Sequence, residues 1–155
     1  MSLTFYAPVV FVKDIENSKN FYTDVLEQEI EHDFGKNIIF KSRVSLWEID
    51  PNSEIASVKG DSSNGNTYEL YFETTDIEGV LANLKRHGLN LLHDLKTEPW
   101  GQMTFRFFDP DHHLVEIGES MQTFVSRIFK EKGSISSVAQ ITGISEEVVK
   151  KIVGD

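Results

Sequence analysis

Apolar positions along this chain switch between two spacings, and the switch happens twice. Residues 5–12 are rich in β-branched and aromatic side chains and suit a strand, with Pro8 marking an edge, a bulge or a bend. Phe21, Tyr22, Val25 and Leu26 then fall on one helical face. Asp14 is one candidate cap for that helix and the Asn17-Ser18 pair another. Strand character returns at residues 38–40 and 44–49, on either side of the polar Lys41-Ser42-Arg43 turn. Pro51 and Asn52 end this series.

The same order follows a Gly-, Ser- and Asn-rich connection at residues 60–66. Residues 67–73 predict a strand, and Asp76 caps a helix with Ile77, Val80, Leu81 and Leu84 as its stripe and Gly88 as its stop. Residues 89–95, 103–108 and 114–117 predict further strands, the last two joined by the tight turn Asp109-Pro110-Asp111. Asp14-Ile15-Glu16 and Asp76-Ile77-Glu78 open the two helices 62 positions apart, so residues 1–120 predict two similar modules, 1–59 and 66–120. Duplication of this kind favours a cavity lined by both halves.

Beyond residue 120 the period is helical throughout. Residues 121–132 place Phe124, Val125, Ile128 and Phe129 on one face, and two shorter helices, at 135–142 and 146–153, flank Gly143-Ile144-Ser145. Charge supports a boundary here: residues 1–120 carry 10 Lys or Arg against 21 Asp or Glu, whereas residues 121–155 carry 5 against 4. The net charge of -10 disfavours nucleic acid over most of the surface. With 155 residues, 39% of them hydrophobic and 11 of them Phe, there is apolar material for a substantial core without metal or disulfide staples. Cys is absent, which removes thiolate nucleophiles and thiolate metal sites. No leader and no apolar run near 20 residues is evident, so a soluble cytoplasmic protein is expected.

Two motifs at the ends of the first 120 residues carry a resemblance. Val12-Lys13-Asp14 with Phe21-Tyr22 and Val25-Leu26, and Phe105 through Glu116 around Asp109-Pro110-Asp111-His112-His113, resemble the opening and closing signatures of the glyoxalase, bleomycin-resistance and extradiol-dioxygenase superfamily. The resemblance spans residues 5–119, and it looks especially like small glyoxalase-related bacterial proteins with a helical extension. It implies an α+β fold of two βαβββ modules with curved mixed sheets around a pocket, plus a small C-terminal helical segment, usually in a homodimer. Catalytic members hold a divalent metal on the first, fourth, fifth and eighth strands. Carried over, those positions are Ala7, Glu48, Glu69 and Glu116.

Ala7 cannot ligate. Glu48, Glu69 and Glu116 remain as a metal set that would suit Mg²⁺, Mn²⁺ or Ca²⁺. If the three acids converge, a metal, a ligand cation or a proton must accompany them. Arg106 could instead pair with Glu116 or take an anionic ligand, and Tyr71 and Trp100 could stack on a planar one. His112 stands where the superfamily places Gly. Two functions stay open: small-molecule binding of the bleomycin-resistance type, through Glu48, Glu69, Tyr71, Trp100, Arg106 and Glu116 without a cofactor, or a divalent-metal-dependent lyase, isomerase or dioxygenase with Glu116 as catalytic base. The tail resembles a helix-turn-helix, but its last helix opens with Glu146-Glu147, so DNA binding does not follow.

Overall fold

The computed structural model describes residues 7–52, 56 and 69–154. The connection at 60–66 and the first residues of both predicted opening strands lie outside them. The chain divides into two compact units. One holds the described residues before Glu69 together with Asp109–His113, and the other holds the described residues from Glu69 to Phe108 and from Leu114 onward.

The first unit contains β1 (Val9–Val12), α1 (Ile15–Asn20), a π-helical turn (Phe21–Val25), β2 (Ile30–Asp33), β3 (Asn37–Phe40) and β4 (Ser45–Glu48). Its sheet has the order β1-β4-β3-β2, with β1 parallel to β4 and the other pairs antiparallel. Asp14 wins as the cap of α1, because its extended backbone lets the carboxylate accept from Asn17 N at 2.9 Å. Val10, Val12, Ile38, Phe40 and Leu46 form the face buried toward α1, where Tyr22 stacks on Phe40 at 5.6 Å between ring centres. Asp109–His113 belongs to this unit through its carboxylates. Asp111 accepts from Lys13 N and Ser18 Oγ, and Asp109 accepts from the Tyr22 hydroxyl at 3.1 Å. These bonds give the closing motif a structural role, since both acids are buried.

The second unit repeats the order as β5 (Glu69–Thr74), α2 (Ile77–Arg86), β6 (Asn90–Thr97), β7 (Met103–Phe108) and β8 (Leu114–Glu119), in the sheet order β5-β8-β7-β6. Asp76 caps α2 by accepting from Gly79 N, and Ile77, Leu81 and Leu84 are buried, with α2 packed on β7 and β8. Each buried aliphatic side chain contributes roughly 1.5–3 kcal/mol. On the sheet, Leu70, Phe105, Phe107, Val115 and Ile117 supply the matching apolar layer.

Three helices complete this unit: α3 (Met121–Lys132), α4 (Ile135–Thr142) and α5 (Glu146–Val153). Phe124, Val125, Ile128, Val138 and Val149 form their shared core. Ser120, Ser134 and Ser145 each cap the helix that follows through the side-chain oxygen. Among the described residues, no helix is long and apolar enough to cross a membrane.

Candidate functional site

Period two gives each sheet one face toward its helix and one away from it. In the second sheet the face away from α2 carries Glu69 and Tyr71 from β5, Glu116 and Gly118 from β8, Thr104 and Arg106 from β7, and His93 from β6. Register places Tyr71, Glu116, Arg106 and His93 in one row across four strands.

Arg106 is the centre of this row. Its Nε donates to Glu69 at 2.9 Å, its Nη1 donates to Glu98 at 2.8 Å, and its Nη2 pairs with Glu116. The guanidinium is largely buried, and the Glu98 and Glu116 side chains are only 8% and 6% exposed. Two unit charges about 5 Å apart at an effective dielectric of about 20 repel by roughly 3 kcal/mol, so three carboxylates gathered here require a cation. Burial alone would lower the Arg106 pKa, but hydrogen bonds to Glu98 and Glu69 more than offset it and raise it. The Arg106 guanidinium, with help from Thr104 and Lys96, holds Glu98 at a pKa of about 2.

His93 completes the cluster. Its Nδ1 lies 2.8 Å from the Asp94 carbonyl, which can only accept, so Nδ1 carries a proton. Nε2 is left to accept from Arg106 Nη1 at 3.3 Å.

Beside the ionic cluster lies an aromatic one. Gln102, only 7% exposed, donates to the Tyr71 hydroxyl at 2.8 Å and to the Glu119 carbonyl at 2.7 Å, and accepts from Trp100 Nε1 at 3.0 Å. Tyr71 and Trp100 remain 45% and 41% exposed. Gly118 has no side chain because a Cβ would come within 3.0 Å of both Gln102 Nε2 and the Tyr71 ring. The Trp100-Gly101-Gln102 turn is held from below by α3. Arg127 donates to the Gly101 carbonyl at 2.7 Å and to Glu119 at 2.6 Å, and a Cβ on Gly101, whose φ is +91°, would strike Ile128 at 2.6 Å.

The expected site residues therefore divide. Glu69, Tyr71, Arg106 and Glu116 share one face of the second sheet, and Trp100 joins Tyr71 through Gln102. Glu48 lies in the first unit, on the face toward α1, where it accepts from Ile15 N at 2.9 Å and pairs with Lys36 at 2.8 Å. Those bonds, the Lys36 one first, lower its pKa. Register explains the placement. Val12 and Thr74 each stand two residues before a helix cap, and their strand partners are Glu48 and Glu119; the partner equivalent to Glu116 is Ser45, opposite Val9. Nothing in the sequence singles out Glu98 or Gln102, which follow β6 and precede β7 in a turn whose reach depends on tertiary structure.

A resident divalent metal, which the superfamily implies for its catalytic members, does not fit these residues as they stand. Oε2 of Glu69 and Oε2 of Glu116 are already engaged by Arg106, and among the described residues no group of three or more His, Asp or Glu side chains is arranged to hold an ion.

Comparison with known proteins agrees with the fold. Residues 5–122 match the family model of the glyoxalase-like domain. The uncharacterized protein YraH of Bacillus subtilis is 30% identical, over 70% of this chain and 91% of its own. A crystal structure of a protein of unknown function from Agrobacterium tumefaciens is 34% identical, with a TM-score of 0.69 over 78% of this chain and 97% of that one. A lactoylglutathione lyase from the same organism shares the fold at 18% identity, with a TM-score of 0.58 over 77% of this chain and 96% of that one. With its two βαβββ sheets and both end motifs in place, the chain belongs to the glyoxalase-like domain family.

Proposed function

We propose that this protein binds a small planar molecule on the face of the second sheet turned away from α2, in the manner of the bleomycin-resistance branch of its superfamily. The observation that supports this most is the Tyr71-Gln102-Trp100 set: two large aromatic side chains are nearly half exposed, yet both are fixed by one buried amide. Exposed aromatics lose little further freedom when a ligand stacks on them, which makes a rigid pair a favourable platform. Burial raises the Tyr71 phenol pKa, so this hydroxyl stays protonated at neutral pH and donates to Glu73 at 3.1 Å.

Charge indicates the ligand class. Glu69, Glu73, Glu98 and Glu116 outnumber Arg106 and Lys96 on and beside this face, which favours a planar molecule bearing a positive group. A ligand screen read by Trp fluorescence and calorimetry tests the reading. For a planar cationic hit, Trp100→Ala and Tyr71→Ala should each weaken binding about 3–10-fold, as expected for loss of one stacking contact. Unchanged affinity in both variants would move the ligand away from this face.

A further inference from the structure

We propose that the helical segment α3–α5 is a clamp that presets the aromatic platform for its ligand, with Arg127 of α3 as the positioning residue. The inference rests on that face being the binding face. Trp100 stands in the short turn between β6 and β7, is 41% exposed and has little burial of its own to hold it. An exposed side chain on such a turn ordinarily changes rotamer within ps–ns. Here the turn is closed from three sides. Within it, Gly101 N donates to the Glu98 carbonyl and Glu98 N to the Gln102 carbonyl, each at 2.8 Å. From α3, Arg127 Nη2 donates to the Gly101 carbonyl at 2.7 Å. Ile128 of α3 and Ile141 of α4 pack against Gly101, so close that a Cβ there would lie 2.6 and 3.5 Å from them.

The same arginine governs the buried amide. Arg127 Nε and Nη2 grip the two oxygens of Glu119 at 3.0 and 2.6 Å, and Glu119 Oε2 also accepts from Met103 N at 2.9 Å. The Glu119 side chain is 4% exposed, so its charge depends on that guanidinium. Its main-chain carbonyl in turn accepts from Gln102 Nε2, which also donates to the Tyr71 hydroxyl, while Gln102 Oε1 takes the Trp100 indole N–H. One line of hydrogen bonds thus runs from α3 to both exposed rings. A salt bridge that only fastened the tail would end at Glu119. The further bond to the Gly101 carbonyl, and the close seat of Gly101 on two helices, put the grip beside Trp100 itself. Arg127, Ile128 and Ile141 lie beyond residue 122, where the glyoxalase-like domain ends. The rings are therefore ordered from outside the domain that carries them, which removes an entropic cost from binding.

The test reads Trp100 without any ligand, in a Trp47→Phe background that leaves it the only tryptophan. Time-resolved fluorescence anisotropy and acrylamide quenching are measured on this parent and on its Arg127→Met, Arg127→Lys and Val149→Ala variants, with folding checked by circular dichroism. R127M should release Trp100, seen as a fast anisotropy decay and an about 2-fold or greater rise in quenching. R127K should fall between, because an ammonium keeps a charge beside Glu119 but lacks the planar fork that reaches Glu119 and Gly101 together. V149A removes volume from the same helical core and should lower the unfolding temperature with the Trp100 signals unchanged, which separates positioning from plain loss of stability. If R127M does not fold, R127K carries the comparison. Trp100 signals unchanged in the folded Arg127 variant, signals equally altered in V149A, or no folded Arg127 variant at all would each overturn the clamp. A second arm titrates N-methylacridinium, a planar cation, by calorimetry: R127M should bind it about 3–10-fold more weakly than the parent, and V149A should not. Equal affinity in parent and R127M would overturn the clamp. A parent that binds no acridinium counts against the proposed binding function alone, since the ligand-free signals still decide the clamp.

Discussion

The faces of the two sheets turned away from their helices occupy equivalent positions in a repeated fold, yet their chemistry is opposite. The first sheet offers Val9, Phe11, Ile39 and Trp47 with Asn37, Ser45 and, from β2, His32, a face whose β1, β3 and β4 positions carry no acid or base and on which Phe11 meets Trp47 edge to face at 6.2 Å. Its counterpart presents Glu69, Tyr71, Arg106 and Glu116. The helix-facing sides hardly differ in kind, being mostly Val, Leu, Ile and Phe in both, with one carboxylate, Glu48 or Glu119, where β4 or β8 ends. A duplicated fold can thus keep one face of each sheet for its core while the other diverges, because period two makes the two faces separate in sequence.

Charge removal is the strongest test of that difference. Arg106→Met strips the cation from two buried acids and should cost about 3 kcal/mol in denaturant unfolding. In the first module, Lys36→Met removes the partner of Glu48, but Lys36 is 67% exposed and the cost should stay below about 1 kcal/mol. Equal losses would mean that the Arg106 cluster is no more electrostatically committed than the Lys36–Glu48 pair on the helix side of the first sheet.

Acid sharpens the same contrast. Glu98 is lowered from the usual 4.5 to about 2. A carboxylate depressed on folding contributes stability that is full above its unfolded pKa and fades as pH falls toward its folded one, so this contribution should be lost between about pH 4.5 and 2. Its size is on the order of 1–3 kcal/mol. Glu98→Gln should flatten the stability profile in that window, and an unchanged profile would remove Glu98 from the electrostatic core of the site.

Legibility in the sequence followed how local each signal was. The stripe of α2 and the three tail helices combine regular apolar spacing with caps, and all four formed where that spacing placed them. β2 did not register, because Ile30-Glu31-His32-Asp33 is a mostly polar edge strand with three exposed positions and no apolar alternation. The cross-strand pairing of Arg106 with Glu116 was readable as one option, since both flank the Asp-Pro-Asp turn. Glu48 was harder to place: it lies three residues from Ser45 in β4, and an odd step moves a side chain to the opposite face. Glu98 and Gln102 left no trace at all, because their roles depend on which residues meet them across the sheet.

The smallest expected effect concerns how the helical segment of each module ends. After α2, Gly88 takes a φ of +72°, and nothing lies within 4 Å of where its Cβ would be, so its requirement is one of backbone alone. The π-helical turn after α1 ends instead at Glu27, with a φ of +53°, while Gln28 N closes the end on the Tyr22 carbonyl at 2.8 Å. An L-residue in this region costs about 1 kcal/mol relative to glycine, partly offset by the extra freedom glycine has when unfolded. Glu27→Gly should therefore stabilise the protein by about 0.5 kcal/mol, and Gly88→Ala should destabilise it by about 1 kcal/mol, both measured by denaturant unfolding. If Glu27→Gly destabilises instead, the Glu27 side chain contributes something its left-handed backbone conceals, and the two helix ends differ in more than the residue that fills the turn.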